Sequence, residues 1–508
     1  MSANEKKLSP EEEPLKEDAA KKTKKTLSEH IRYIKTNITV EPVLAGLIIP
    51  SMLSRLAIQN LNLDKACRVK LDLGDEICDA LVEKRDNYSL SHYEGDVQRI
   101  ISEIESWRSI IQTAIPTLLV IFMGAWSDRT GNRKLCILMP LFGELFVALS
   151  NILSTFYFRE VSVEVTMFLE SIFPAITGGW VMVYLGVFSY ISDITTEESR
   201  TFRVGLANLC MTAGVPLGTA LSGILLKLWG YYGIFFLSSV IYIANIIYAL
   251  KRLKSNSKPS TTDTEKKNPP TFKDLTSMVK ETIAVAFKKR EGNFRKKIIV
   301  TLAIVTIIYG PNHGERIITY MYVRYRLRWD ALKYSMYSTY SIIMHSIGAL
   351  FSISVFSKRL GYHDSNLCLI SVVSKLVGSV YIAFVQTDVQ MYLVPIVEIL
   401  NATTFTSLRS LASKLVPNEE SGKMNSLFSL VETLGALMFD PTYSTIYSHT
   451  VNKFTGTVYI FSAVMTLPVI AMLMWILFVD YRQRHQSVQN SQEDVEIKKN
   501  EELTEKNN

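Results

Sequence analysis

The chain has 508 residues, of which 48% are apolar and 20% charged, and a formal net charge of +7. That charge gathers in two tails and two loops, which cytosolic loop bias explains without a nucleic-acid partner. Enzyme chemistry is disfavoured, because no zinc-protease helix, phosphate-binding glycine loop or nucleophile pair occurs. The seven histidines stand apart from the cysteines, so neither a metal nor a cofactor is expected.

A membrane span takes roughly 20 mostly apolar residues. Twelve stretches qualify, near residues 38 to 61, 107 to 127, 135 to 157, 164 to 191, 202 to 226, 233 to 251, 297 to 322, 334 to 356, 366 to 385, 389 to 412, 424 to 448 and 456 to 479. Residues 1–37 are highly charged, lack the apolar core of a cleavable signal, and read as a cytosolic tail. The first span carries Arg55, a charge costly enough at mid-bilayer to mark a solute path. It leads into an acidic loop over 62–105, expected outside. There Asn87-Tyr88-Ser89 forms an N-glycosylation pattern, and an oxidising compartment permits a disulfide between Cys67 and Cys78.

The second span runs into Gly124-Ala125-Trp126-Ser127-Asp128-Arg129-Thr130-Gly131-Asn132-Arg133. Its first glycine lets two helices approach, while Asp128, Arg129 and Arg133 can pair at the membrane surface. This turn resembles the loop-2/3 motif of the major facilitator superfamily of transporters. Glu144 and Glu170 follow inside the third and fourth spans. Weaker copies of the turn follow the fourth span, with Asp193, Arg200 and Arg203, and the eighth, with Lys358, Arg359 and Asp364. Each alone is an ordinary basic flank. Together they read as charge pairs that lock the cytosolic ends of two halves and release them on opening.

Residues 252–296 are polar, basic and rich in Ser, Pro and Thr, a flexible cytosolic linker between bundles at 38–251 and 297–480. The seventh span holds Gly310-Pro311-Asn312-His313-Gly314-Glu315-Arg316 near its middle. Two glycines and a proline are expected to disrupt the helix there, at a depth where open backbone is tolerated only against protein or a wet cavity. His313 is the proton-carrying candidate, since a histidine ordinarily titrates near pH 6.5. Glu315 is read as pairing with Arg316 or titrating; a permanent internal salt bridge is the plainer alternative. The next loop interleaves Arg324, Arg326, Arg328 and Lys333 with Tyr320, Tyr322, Tyr325 and Trp329. It either draws anions to the cavity mouth or snorkels to headgroups beside an aromatic belt. His345, Lys375, Glu398, Arg409 and Glu432 are further charges within spans. Arg409 suits a substrate carboxylate or phosphate, or gating. Residues 481–508 form a cytosolic tail.

Val40-Glu41-Pro42-Val43, the Gly124 turn, Ser199-Arg200-Thr201-Phe202-Arg203, Trp329-Asp330, Leu408-Arg409, Ser413-Lys414-Leu415-Val416 and Glu420-Ser421-Gly422 together resemble solute carrier family 46, the family of the proton-coupled folate transporter. The resemblance implies an all-α membrane protein with twelve transmembrane helices in two six-helix bundles, the major facilitator fold. It implies a cavity lined by the first, fourth, seventh and tenth spans. It further implies secondary transport of a small organic anion by alternating access, with protons as a second partner and the bilayer as solvent. The alternative is an uncoupled carrier or a non-transporting sensor. Two departures argue against folate: Asn208 stands where the folate carrier has a proton-linked glutamate, and Arg328 where it has a cysteine. The candidate path is therefore Arg55, Glu170, Asn208, Asn312, His313, Glu315, Arg316 and Arg409. The plasma membrane is the expected location, with the lysosomal membrane second.

Overall fold

The computed structural model describes residues 38–83, 90–195, 197–254, 277, 280, 283–288, 293–417 and 420–505. Asn87, the tail over 1–37 and the linker over 255–276 lie outside them. So do the side chains of Asp128, Arg129 and Lys358 and those beyond residue 483.

Every regular element among the described residues is helical. Among the described residues eight helices are long and apolar enough to cross a bilayer, and nine are counted when the bent pair Asp388–Val397 and Asn401–Lys414 is taken as one span. The helix Glu197–Arg252 is two spans, because Gly230 adopts φ 64° and ψ −166°, a conformation open to glycine that ends one helix and starts the next. Phe294–Arg326 and Ser421–Thr450 have the length, 33 and 30 residues, but carry ionisable groups mid-helix. With these, the described residues hold the twelve spans expected. Large apolar side chains such as Leu118, Phe146, Phe236 and Leu350 face outward, as a lipid-facing surface requires.

Two apolar cores each belong to one half. Val40, Leu44, Ile137, Val183 and Tyr242 pack in the first half, and Ile304, Cys368, Leu408, Phe428 and Leu473 in the second. A third core crosses between them at the end carrying Cys67 and Cys78, where Leu56, Val97, Tyr320, Trp329, Tyr443 and Tyr447 share one cluster. The halves also meet along two helix pairs: the second span against the eleventh, and the helix of the fifth and sixth spans against the eighth.

Two expectations are corrected. The seventh span is one continuous helix, Phe294–Arg326, through Pro311. Its glycines serve close packing: a Cβ at Gly310 would lie 2.2 Å from the Phe439 ring, and one at Gly314 2.5 Å from the Tyr443 ring. The acidic loop is also shorter than 62–105, because the first helix runs on through Lys70 and the second begins at Leu90. Those added turns are polar, yet Glu94, Gln98 and Ser102 are buried on one face; helical spacing at i, i+4 and i+8 puts them there.

Within the remaining loop Cys67 and Cys78 are joined, with Cα atoms 6.0 Å apart. Arg68 donates hydrogen bonds to Asp64 at 2.7 Å, Asp75 at 2.9 Å and Asp79 at 2.5 Å. This guanidinium holds the Asp75 carboxyl below the usual carboxylate range. Loop and first span are thus tied by one covalent and two charge-assisted contacts, the third, Arg68 to Asp64, lying within the first helix.

Candidate functional site

A cavity of about 480 Å³ opens between the halves, lined mainly by the first four spans and closed on its other side by the seventh and eleventh. Among its charged and amide side chains are Arg55, Asn62, Glu105, Arg108, Glu144, Asn151, Glu170, His313 and Asp440. The size and the mixed lining suit a small organic ligand.

At the disulfide end the cavity is capped by a polar clasp between the halves. Arg324 Nε donates to Glu94 Oε1 at 2.6 Å, and its Nη1 to Asn60 Oδ1 at 3.0 Å. Tyr320 donates to the same Asn60 oxygen at 2.7 Å, and Tyr447 to Gln98 Oε1 at 2.7 Å. Glu94 and Arg324 are 5% and 6% exposed. This corrects the reading of the basic loop: Arg324 neither funnels anions nor snorkels, because a carboxylate 230 positions away holds it inside the protein. Arg326 donates to the Val385 carbonyl at 3.1 Å, and Lys333 pairs with Asp388 over the Trp329 ring.

The ionisable residues of the seventh span part ways. His313 faces the cavity, its Nδ1 lying 2.8 Å from both carboxylate oxygens of the buried Asp440 in the eleventh span, and Tyr309 stacks on its ring. Glu315 pairs with Lys375 at 2.6 Å and not with Arg316, because the two side chains leave the helix on different faces. Lys375 also donates to Glu398 at 3.3 Å, so one ammonium holds two carboxylates in the second half. His345 Nδ1 donates to the Ser341 carbonyl at 2.8 Å, and its Nε2 stands 4.0 Å from Glu398. Arg55 and Arg316 are exposed and lie within electrostatic reach of one another. Neither makes a hydrogen bond or ion pair with a described residue.

The family model of the Major Facilitator Superfamily matches residues 96–439. The chain belongs to that superfamily. It is 23% identical over 433 residues to the "Probable peptidoglycan muropeptide transporter SLC46" of Drosophila melanogaster, covering 84% of this chain and 82% of that one. It is 25% identical over 366 residues to the "Lysosomal proton-coupled steroid conjugate and bile acid symporter SLC46A3" of Gallus gallus, covering 72% and 77%. Among solved structures it resembles a D-xylose-proton symporter with a TM-score of 0.60 and 12% identity, over 85% of this chain and 96% of that one. This is a multi-pass membrane protein with the major facilitator fold, a secondary transporter of an organic solute.

In this superfamily member the turns read as gates make their described pairs within one half each. Arg133 pairs with Asp193 at 2.9 Å and Arg203 with Glu41 at 2.8 Å in the first half. In the second, Asp364 accepts from Ser410 at 2.6 Å and Lys414 at 2.7 Å. Arg200 reaches the Ser192 carbonyl at 3.4 Å, and Arg359 is exposed. Arg409 pairs with Glu432 at 2.9 Å and lies over the Phe428 ring, outside the cavity lining. Asn208 is exposed and also outside it, because the fifth span turns that face away. Asn312 donates to the Ile308 carbonyl of its own helix at 3.1 Å. Sequence reasoning missed Glu94, Arg108, Asn62, Asn151 and Asp440. Asp440 was within reach of the intramembrane-charge rule, whereas the roles of the others depend on partners on distant spans.

Proposed function

We propose that this chain carries a polar organic anion across its membrane by alternating access, driven by protons, and that the conformation described is open to the cytosol. The observation that carries the anion is Arg55: a guanidinium in the wall of a central cavity that makes no hydrogen bond or ion pair with a described residue and feels Glu105 only across the cavity, where an arginine costs about 2.5–3.5 kcal/mol at mid-bilayer on insertion scales. A carboxylate entering the cavity offsets that cost and is drawn further by Arg316. The disulfide suits the oxidising side, and the basic turns suit the cytosol, which supports a clasp on the outer side. The charge pairs at the cytosolic ends stay within their own halves, as an open inner gate requires.

His313 with Asp440 is the proton site of this reading. It faces the cavity, bridges two spans of the moving half, and takes the part that Asn208 cannot. The avian relative is named a proton-coupled symporter, which supports the coupling, and a lysosomal one, which makes that membrane the second location after the plasma membrane. In either membrane the clasp faces the acidic or outer side, so protons drive solute toward the cytosol.

The test is uptake into proteoliposomes of a panel of labelled organic acids, matched with their amides. Removing a charge-assisted contact of about 1.5–3 kcal/mol lowers kcat/KM for the acids about 10–100-fold in Arg55→Ala, with the amides unaffected. Equal transport of acids and amides by the unmodified protein refutes the anion reading.

A further inference from the structure

Resting on that transporter reading, one further carboxyl in the cavity wall selects the neutral part of the solute. Glu144 stands at the middle of the third span, Arg133–Phe156, half-buried and lining the cavity. Tyr242 of the sixth span donates to its Oε2 at 3.3 Å, and Ser51 of the first span reaches both groups. The spans that carry these three residues are pinned. Ser54 and Ser238 share a hydrogen bond of 2.8 Å, Asn245 donates to the Val43 carbonyl at 2.9 Å, and a Cβ at Gly143 would lie 2.2 Å from Thr177 Oγ1. The carboxyl is therefore fixed in place before any solute arrives.

What it lacks is a counter-ion. The charged groups on the spans packed against the third answer one another instead. Arg55 of the first span acts with Glu105, Arg108 and Arg316; Arg108 of the second pairs with Glu105 at 2.8 Å; Glu170 of the fourth is reached by Arg108 and Lys65. Toward the basic turns Glu41 pairs with Arg203, Arg133 with Asp193, and Lys134 donates to the Leu250 carbonyl. Across the cavity His313 has Asp440. Among the described residues no charged group acts on Glu144, whose polar company is the two hydroxyls, and Met52, Val147 and Ala148 line the adjoining wall. A carboxylate set in an intramembrane wall without a cation is costly enough to neutralise, and a neutral carboxyl has an O–H to donate. With Tyr242 donating to Oε2, that O–H belongs to the other oxygen. No described amine, imidazole or carboxylate stands against Glu144 to take its proton, which sets it apart from the proton on His313.

We propose that Glu144 is held as a neutral carboxylic acid and donates a hydrogen bond to a carbonyl or similar neutral acceptor of the solute, while Arg55 holds the solute's carboxylate. Ser51, which touches Glu144, and Arg55 lie one turn apart on the same face of the first span, about 6 Å along its axis, so one small molecule meets both groups. The solute class is an organic acid with a neutral acceptor about that far from its carboxylate. para-Acetylbenzoate has this form, and para-isopropenylbenzoate replaces its ketone oxygen with a methylene of nearly the same shape.

Two measurements test this. Infrared difference spectra of the reconstituted full chain without ligand, unmodified minus Glu144→Gln, should show the carbonyl stretch of a neutral carboxyl at both pH 5.5 and pH 7.4, and the same band in a His313→Ala background. Thermal stabilisation of the detergent-purified full chain should show para-acetylbenzoate binding about tenfold tighter than the isopropenyl compound. That preference should persist in Glu144→Gln, whose amide still donates, and fall to threefold or less in Glu144→Met. The proposal is overturned if the band is missing at either pH, if the two benzoates bind equally or neither stabilises the unmodified protein at millimolar concentration, if Glu144→Met keeps the preference, or if tetramethylammonium stabilises the unmodified protein but not Glu144→Gln, as an ionised carboxylate would require. The benzoate comparison in the unmodified protein needs no variant and stands even if a substitution at Glu144 does not fold. If para-diacetylbenzene, which has no carboxylate, binds as tightly as para-acetylbenzoate, the anion site on Arg55 has failed and the donor at Glu144 has not.

Discussion

Replacing Glu94 with glutamine should tip the molecule toward the form in which its halves part at the disulfide end. Glu94 and Arg324 are both nearly fully buried and joined at 2.6 Å, with a second contact at 3.4 Å, across the boundary between the halves. Removing one partner of a buried pair leaves the other charge uncompensated, at about 3–5 kcal/mol. Arg324 keeps its bonds to Asn60 and glutamine still offers an amide oxygen, so the low end applies. When the halves part at this end, water reaches both groups, and the penalty falls on the closed form alone. At 1.4 kcal/mol per tenfold, about 3 kcal/mol moves the equilibrium by about two orders of magnitude. Spin labels on cysteines at the exposed positions His92 and Lys453, in a background lacking Cys136, Cys210 and Cys368, report the opening as a longer inter-label distance. Glu94→Gln should populate that longer distance in most molecules, and the swap Glu94→Arg with Arg324→Glu should partly restore the short one. An unchanged distance distribution in Glu94→Gln would refute the clasp.

Other consequences follow from particular contacts. Gly310→Ala forces a Cβ against the Phe439 ring and should cost about 1–3 kcal/mol as overpacking, seen as a lower Tm; an unchanged Tm would mean that the seventh and eleventh spans do not pack this closely. Lys375→Met strands Glu315 and Glu398 and should destabilise by about 3–5 kcal/mol, whereas adding Glu315→Gln should recover part of the loss. No recovery in the double variant would show that the three groups are not one network. Cys67→Ser should cost about 2–4 kcal/mol, and reducing agent should lower the Tm of the unmodified protein but not of the variant. If reductant leaves the unmodified protein unchanged, the bond does not constrain the loop.

Hydropathy read the spans well wherever lipid dictates composition, and the mid-membrane cost of charge singled out Arg55, Glu170 and His313, all of which line the cavity. It failed where helix and membrane part company. The turns from Leu90 onward stand among protein and carry Glu94 and Gln98, so polarity there looked like loop. Gly310 and Gly314 looked like helix breakers because glycine serves both flexibility and close approach, and only the rings of Phe439 and Tyr443 decide between them. Arg324 was unreadable for a simpler reason: its burial depends on Glu94 and Asn60, on two spans of the other half.

The most direct test of the account is accumulation of the best-transported acid in proteoliposomes held at pH 5.5 outside and 7.4 inside. The account predicts uptake past equal concentrations, abolished by a protonophore, and reduced in His313→Ala to passive equilibration. Uptake that halts at equal concentrations with the gradient intact, or His313→Ala that accumulates as the unmodified protein does, would contradict it.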